Sequence, residues 1–260
     1  MKENNIQNIK FTVITVCYNS EKTIQKTLRS IKDQTYKNIE YIIIDGGSTD
    51  KTLEIINNYK DIVDILISEP DNGIYDAMNK GIKLATGDYI GFLNSDDYYT
   101  NDIFEEYNIA LIKEIVDYIY SDTVFYNINK SWSCECDPPE SFKFANSLHK
   151  GTQFCHQTLY VKREVFNKVG LFDTSFKISA DYDFFLRLFN YKNNYFKGVY
   201  LSKKTCFFKM GGTSSSFLKT RVDELNVKLK NGYPPLYVYY IFFKVSFFYL
   251  IKKLFRVSKF

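Results

Sequence analysis

The sequence predicts an α/β fold built on a Rossmann-like, mostly parallel, doubly wound sheet, followed by a less regular second half and an aromatic, basic helical tail. Three observations point there. Short β-rich runs alternate with stretches of helical periodicity from residue 11 to residue 95, the pattern of right-handed strand–helix–strand crossovers. The strand runs are close to continuously apolar, as strands covered on both faces must be. The residues after each run are polar or glycine-bearing, so four loops gather on the rim where open α/β sheets bind ligands.

In order, FTVITV (Phe11 to Val16) reads as the first strand. A helix follows in SEKTIQKTLRSIKDQ, with Ser20 as N-cap and Ile24, Leu28 and Ile31 at helical spacing. IEYIIID (Ile39 to Asp45) is the second strand and TDKTLEIINNY the second helix, after a GGS turn. DILISE (Asp64 to Glu69) is a third strand, NGIYDAMNKGIKLA a helix with Ile74, Met78 and Ile82 on one stripe, and YIGFLN a fourth strand. Beyond these, VDYIYSDTVFYN supplies one or two strands, CDPPE a turn, and HQTLYVKREVFNKVGLFD a strand, a helix and a turn. SADYDFFLRLFN reads as a helix with acids in its first turn, where the helix dipole favours them. Tyr233-Pro234-Pro235 breaks the chain before the tail. The organisation is thus a regular α/β half over residues 1–115, a less regular half of the same domain over 116–232, and a tail over 233–260.

Composition narrows the class. The chain of 260 residues is 45% hydrophobic and 25% charged, with 22 Tyr and 23 Phe, which is globular rather than disordered. The net charge of +4 is uneven, because Lys244, Lys252, Lys253, Arg256 and Lys259 fall in a final stretch without acids. Nucleic-acid binders carry a more widespread basic face, so a membrane surface is the better match and no nucleic-acid partner is expected. Five scattered cysteines read as reduced thiols, and Cys134 and Cys136 lack the second pair that structural zinc would need. No apolar segment precedes the first strand, so a cytoplasmic chain is expected.

The rim loops restrict the chemistry further. Cys-Tyr-Asn-Ser stands where a dinucleotide fold would place G-x-G-x-x-G, and no G-x-x-x-x-G-K-[ST] occurs, which disfavours NAD and excludes a P-loop triphosphatase. Asp45 can accept from a base or ribose, and Gly46 and Gly47 allow close backbone approach. Asp96 and Asp97 are adjacent carboxylates at a strand end; such a pair repels and attracts a cation. Each feature has a plainer reading, a simple turn for GGS and a helix cap for SDD.

The order and wording of these blocks resemble the family 2 glycosyltransferases with the GT-A fold. TVCYN, IIIDGGSTD, SEPDNGIYDAMNKGIKLATGDYIGFLNSDD, HQTLYVKREVFNKVGLFD and SADYDFFLRL carry the resemblance over roughly residues 10 to 190, and the wording is nearest to bacterial members that build O-antigen and capsule polysaccharides. The resemblance implies an inverting, metal-dependent transfer from a nucleotide-sugar donor, a UDP-hexose or UDP-N-acetylhexosamine, to a saccharide acceptor. The donor nucleotide would lie across Thr15, Cys17, Tyr18, Asp45, Gly46, Ser48, Asp71 and Asp96. Asp96 and Asp97 answer to the family's D-x-D, with Asn94 in its first place, a departure that removes one charge. The Mg²⁺ or Mn²⁺ ion is placed on Asp97, with Asp96 either sharing it or contacting the ribose through water. Asp181 matches the Asp of the family's ED pair, Ala180 replacing the Glu, and is the expected base, with Asp183 as runner-up.

His156 and Gln157 fall in a block near the acceptor and diphosphate, although a lone histidine is also often packed or solvated. Arg187 either pairs with Asp183 at i, i+4 or approaches the leaving phosphate. Asn79 and Lys80 could help hold the nucleotide, Lys80 otherwise being solvated, and His149 has a weaker claim than His156. The tail, LYVYYIFFKVSFFYLI, is too short and too interrupted by Lys244 to span a bilayer. It reads as an interfacial helix, with Lys252, Arg256 and Lys259 on one face toward anionic lipid, or as a helix packed on protein. A membrane-bound acceptor such as a sugar on polyprenyl diphosphate would suit the first reading, at the inner face of the cell membrane. Two rivals stay open: a nucleotidyltransferase, which would need a basic glycine-rich loop after the first strand, and a binding or scaffold subunit without turnover.

Overall fold

The structure is a computed structural model that describes residues 8–127, 130–136, 155–190, 196–211 and 217–257. His149, most of the predicted CDPPE turn, and the side chains of Lys252, Arg256 and Lys259 lie outside the described residues.

One sheet organises the chain. Its first half alternates β1 (Phe11–Cys17), α1 (Ile24–Lys32), β2 (Ile39–Asp45), α2 (Thr52–Asn57), β3 (Ile65–Ser68), α3 (Ile74–Leu84) and β4 (Tyr89–Phe92). The second half adds β5 (Tyr98–Tyr99), α4 (Ile103–Lys113), β6 (Tyr118–Tyr126), β7 (Ser131–Cys134), a 3₁₀ turn (His156–Thr158), β8 (Tyr160–Lys162), α5 (Arg163–Val169), α6 (Ala180–Phe189) and β9 (Gly198–Lys209). Two helices, α7 (Phe217–Lys230) and α8 (Pro235–Val257), follow. The strand order is β3-β2-β1-β4-β8-β6-β9-β5, with β7 on β6. Strands β3, β2, β1 and β4 are mutually parallel, and β8 enters antiparallel between β4 and β6.

Burial explains why these runs become central strands. Every residue of β1 is buried, and its side chains divide by parity, as a pleated strand requires. Phe11 and Val13 pack with Leu28, Ile31, Phe104 and Tyr107 on one side. Ile14 and Val16 pack with Met78, Ile82, Phe166 and Phe184 on the other. Full burial of such a side chain contributes about 1.5–3 kcal/mol, so truncating Leu28 to Ala would cost roughly 2–5 kcal/mol. Gly91 lets β8 close on β4: a Cβ there would sit 2.4 Å from the Tyr160 ring.

One local expectation changes and another narrows. The N-cap position of α1 is Thr23, not Ser20. Ser20 instead pairs its hydroxyl with that of Ser95 at 2.8 Å, tying the loop after β1 to the loop after β4. VDYIYSDTVFYN forms a single long strand, β6, with a register irregularity against β9 around Asp122.

Candidate active site

The loops after β1, β2, β3 and β4 open on a cleft of about 1030 Å³, which Tyr18, Asp50, Asp71, Asp96, His156 and Asp181 help line. Residues from both halves of the chain therefore meet in one cavity, at the carboxyl edge of the parallel strands.

The β2 end of the rim is built by Asp45, which is fully buried. Its Oδ2 accepts from the backbone N–H groups of Gly47 (3.1 Å) and Ser48 (2.9 Å) and from the Ser68 hydroxyl (2.7 Å). Its Oδ1 accepts from Ser48 Oγ (2.5 Å) and Cys17 Sγ (3.5 Å). Burial works against ionisation here, but the hydrogen bonds from Ser48 and Ser68 outweigh it and hold the carboxyl below its ordinary range. A saturated, buried carboxylate has nothing left for a base or ribose. Asp45 and Ser48 shape the turn and are not among the residues that line the cleft, and Ser48 Oγ also accepts from Asn19 N–H at 2.8 Å. Thr15 is likewise excluded from contact: it is fully buried and accepts a 3.0 Å bond from Tyr41.

What remains exposed on that rim is Tyr18, at 62%, with Cys17 and Asp71 beside it along the cleft. Gly46 permits their approach, since a Cβ there would lie 2.6 Å from Asp71 Oδ2 and 3.5 Å from the Tyr18 ring. Asp71 Oδ1 accepts the Gly73 N–H at 2.8 Å.

The two adjacent carboxylates have different environments. Asp97 is 1% exposed; its Oδ2 accepts from Gln157 Nε2 at 2.7 Å and its Oδ1 from Lys209 N–H at 2.8 Å. Burial first, and the neighbouring Asp96 second, push its carboxyl well above the ordinary range. Asp97 is therefore a strut between the 3₁₀ turn and β9, with both carboxylate oxygens engaged, and it is Asp96, not Asp97, that lines the cleft. Asp96 lines the cleft, and burial raises its carboxyl too. Two residues before it, Asn94 also lines the cleft, and its Oδ1 is buried without a hydrogen-bond partner.

This pair fits a hard cation: one carboxylate and one orphaned amide oxygen, with no competing thiolate or imidazole set. Among the described residues no group of three or more His, Cys, Asp and Glu forms a closed metal cage. That agrees with a divalent ion held by one or two protein oxygens plus substrate phosphates and water.

Asp181 opens α6 on the far wall. Its Oδ1 accepts from Tyr182 N–H (2.8 Å) and faces the Tyr75 hydroxyl (3.0 Å), which also donates to Ile178 carbonyl oxygen (2.6 Å). Its Oδ2 lies 3.3 Å from His156 Nδ1. His156 Nε2 is buried with no partner. The start of α6 is fixed from outside by Asp223 of α7, whose Oδ2 accepts the Ile178 and Ser179 N–H groups at 2.8 and 2.9 Å.

Asp183 and Arg187 do not reach the cleft chemistry. Asp183 is 1% exposed, with Oδ2 on Arg187 Nε (2.8 Å) and Oδ1 on Asn231 Nδ2 (2.8 Å). Arg187 donates one hydrogen from each of its terminal nitrogens to the carbonyls of Val169 and Leu171. The i, i+4 ion pair forms, and Arg187 is not among the residues that line the cleft. Gln157 lines the cleft but commits its amide nitrogen to Asp97. Asn79 braces Phe172 through both its amide atoms, and Lys80 pairs with Glu69 at 2.7 Å. Tyr75, Lys209 and Glu224 also line or brace the cleft, and nothing in their spacing marked them.

A family model described as glycosyl transferase family 2 matches residues 12–170. A PGL/p-HBAD biosynthesis glycosyltransferase of Mycobacterium bovis is 31% identical over 189 residues, which cover 69% of this chain and 70% of the relative. Staphylococcus aureus TarS, residues 1–349 in complex with UDP-GlcNAc, superposes with a TM-score of 0.68 at 20% identity, covering 91% of this chain and 71% of that one. In a longer TarS structure this chain spans only 42% of the TarS chain. A mannosyltransferase of Pyrobaculum calidifontis in complex with GDP-Man and Mn²⁺ gives a TM-score of 0.60 at 18% identity, over 86% of this chain and 63% of the other. With its GT-A fold and a matched region that holds the β1, β2 and β4 loops, the chain belongs to glycosyl transferase family 2 and is a glycosyltransferase.

Proposed function

We propose that the cleft carries out an inverting transfer of a sugar from a UDP-linked donor to a saccharide acceptor, with Mg²⁺ or Mn²⁺ bound at Asp96. One observation carries this reading: Asp96, beside the unpartnered Asn94 oxygen, and Asp181, beside His156, line the same cleft from the two halves of the chain. The TarS and mannosyltransferase complexes, with UDP-GlcNAc and with GDP-Man and Mn²⁺, support a nucleotide-sugar donor and a divalent ion for this fold.

In this reading Tyr18 offers its exposed ring to the base and Asp71 an oxygen to the ribose. A bound divalent ion neutralises charge on the departing diphosphate. Asp181 Oδ2 takes the acceptor hydroxyl's proton as that oxygen attacks the anomeric carbon from the face opposite the diphosphate. An α-linked donor then yields a β-glycoside. Tyr75 and Tyr182 hold the other carboxylate oxygen, so Oδ2 has one orientation toward the cleft.

The acceptor is proposed to be lipid-linked, in assembly of a bacterial surface polysaccharide such as O-antigen or capsule. The tail supports this: α8 exposes Leu236, Tyr240, Phe243, Phe247 and Phe248, and no acid occurs along it. No helix among the described residues is long and apolar enough to cross a membrane, so α8 is proposed to lie in the interface.

Asp181→Asn tests the assignment. The variant is expected to bind UDP-sugar within about twofold of the parent and to lose roughly 10²–10⁴-fold in transfer rate. An unchanged rate with normal binding would remove Asp181 from the role of base.

A further inference from the structure

Three aromatic side chains lie in one row across the far end of the sheet. Trp132 on β7 pairs with Phe125 on β6, and Phe125 pairs with Phe208 on β9. Residues directly opposite share a face of the sheet, and the rings follow suit: Trp132 and Phe125 stack at 5.9 Å and 17°, and Phe125 meets Phe208 at 5.3 Å. Phe125 and Phe208 line the same cleft as Asp96 and Asp181. Trp132 extends the row outward and is 44% exposed, on a strand that among the described residues pairs only with β6.

The opposite face of these strands is a useful contrast. There Phe207 is covered by Tyr98 in a 4.6 Å stack, Tyr126 abuts Tyr98, and Lys26 of α1 sits 3.5 Å above the Tyr98 ring. Cross-strand aromatic pairing alone stabilises a sheet, and that accounts for Phe125 against Phe208. It does not account for placing an indole on an edge strand with nearly half its surface in water.

We infer that Trp132, Phe125 and Phe208 form the acceptor subsite, a flat apolar strip on which a pyranose ring of the acceptor saccharide stacks through its C–H face. This rests on the proposed transferase reading of the cleft and deepens it. The strip is continuous with the catalytic cleft, and it stands on the β6–β9 side of the strand order, beyond β4 and β8 from the β1–β2 rim where Tyr18 stands. A nucleobase held at Tyr18 therefore leaves it free. Aromatic walls with a few charged groups are the usual lining of small-molecule sites, and Lys209 lines the same cleft.

Trp132 is the only tryptophan in the chain, so its fluorescence reports this strip directly. The experiment titrates mono- and disaccharides of glucose, galactose, N-acetylglucosamine and rhamnose into the full chain holding UDP and Mn²⁺. The expected result is a saturable blue shift or quench with at least one sugar, abolished in Phe125→Ala and in Phe208→Ala while UDP still binds and the melting temperature falls by only about 2–4 °C, the loss of one cross-strand pair. Trp132→Ala is expected to raise the acceptor KM at least fivefold, with the calorimetric Kd for UDP within twofold of the parent and Trp132→Phe partly restored. No response to any sugar while UDP binds normally would overturn the subsite and leave the transferase reading intact. A shift produced by lipid vesicles or by raising protein concentration, and not by sugar, would also overturn it, in favour of a membrane or self-association face. Failure to bind UDP with a saturable sugar response would keep the strip and remove the donor assignment.

Discussion

Asp96 and Asp97 are consecutive, yet one faces a cleft and the other is a strut. Replacing Asp97 by Asn is expected to preserve the fold, because the buried Gln157 Oε1 has no partner and a turned amide can accept from the new side-chain NH₂. Asp97→Ala instead strands the Lys209 N–H and Gln157 Nε2, at about 1–3 kcal/mol for each unpaired donor. Thermal melts should therefore place Asp97→Ala well below the parent and Asp97→Asn close to it. At Gly46, substitution by Ala would force Asp71 away from the cleft, since its Oδ2 would be 2.6 Å from the new Cβ. The expected outcome is a donor KM raised severalfold with kcat little changed, read from initial rates. The pair of carboxylates and Asp181 were legible in the sequence; which oxygen was free was not. Spacing cannot show that Lys209, 112 residues along the chain, donates to Asp97, or that the carbonyls of Val169 and Leu171 accept from the Arg187 guanidinium.

Among the elements, β1 and β2 are stitched together by Glu40, whose carboxylate accepts from Thr12 (2.6 Å), Lys10 (3.1 Å), Thr86 N–H (2.7 Å) and the Thr86 hydroxyl. Burial opposes its charge, but these bonds prevail and draw its pKa from 4.5 down to about 2. Its side chain is only 7% exposed. Because the folded value is depressed, the stabilisation is present above pH 4.5 and disappears as pH falls through about 2. At roughly 1.4 kcal/mol per unit it amounts to about 3 kcal/mol. Glu40→Gln is expected to lose that much at neutral pH and to flatten the stability curve between those limits, measured by urea titration at several pH values. The apolar runs and helical stripes made β1 to β4 and α1 to α3 readable. Strand β9 was not, because its middle is exposed Ser202, Lys203 and Lys204, beside the irregular register with β6. Helix α7, which anchors α6 through Asp223, also carried no sequence signal that tied it to the site.

At the scale of the molecule, the loops after β1 to β4 and the aromatic residues Phe125 and Phe208 open on one cleft, and an exposed aromatic helix follows on α7. Helix α8 docks on α7 partly through Phe217 and Tyr249, stacked at 3.8 Å, while Phe243 and Phe247 are 64% and 61% exposed. Replacing both exposed phenylalanines with Ser is expected to leave the melting temperature unchanged and to weaken cosedimentation with anionic vesicles severalfold. Added salt should weaken it further, as surface electrostatics require. The central claim, a metal-dependent nucleotide-sugar site at Asp96, is tested most directly by calorimetric titration of UDP and UDP-sugars into the parent and Asp96→Asn, with and without Mn²⁺. The account predicts binding to the parent that needs Mn²⁺ and is lost in Asp96→Asn while the fold persists. Metal-independent binding of equal strength in both proteins, or no nucleotide binding by the folded parent, would contradict it.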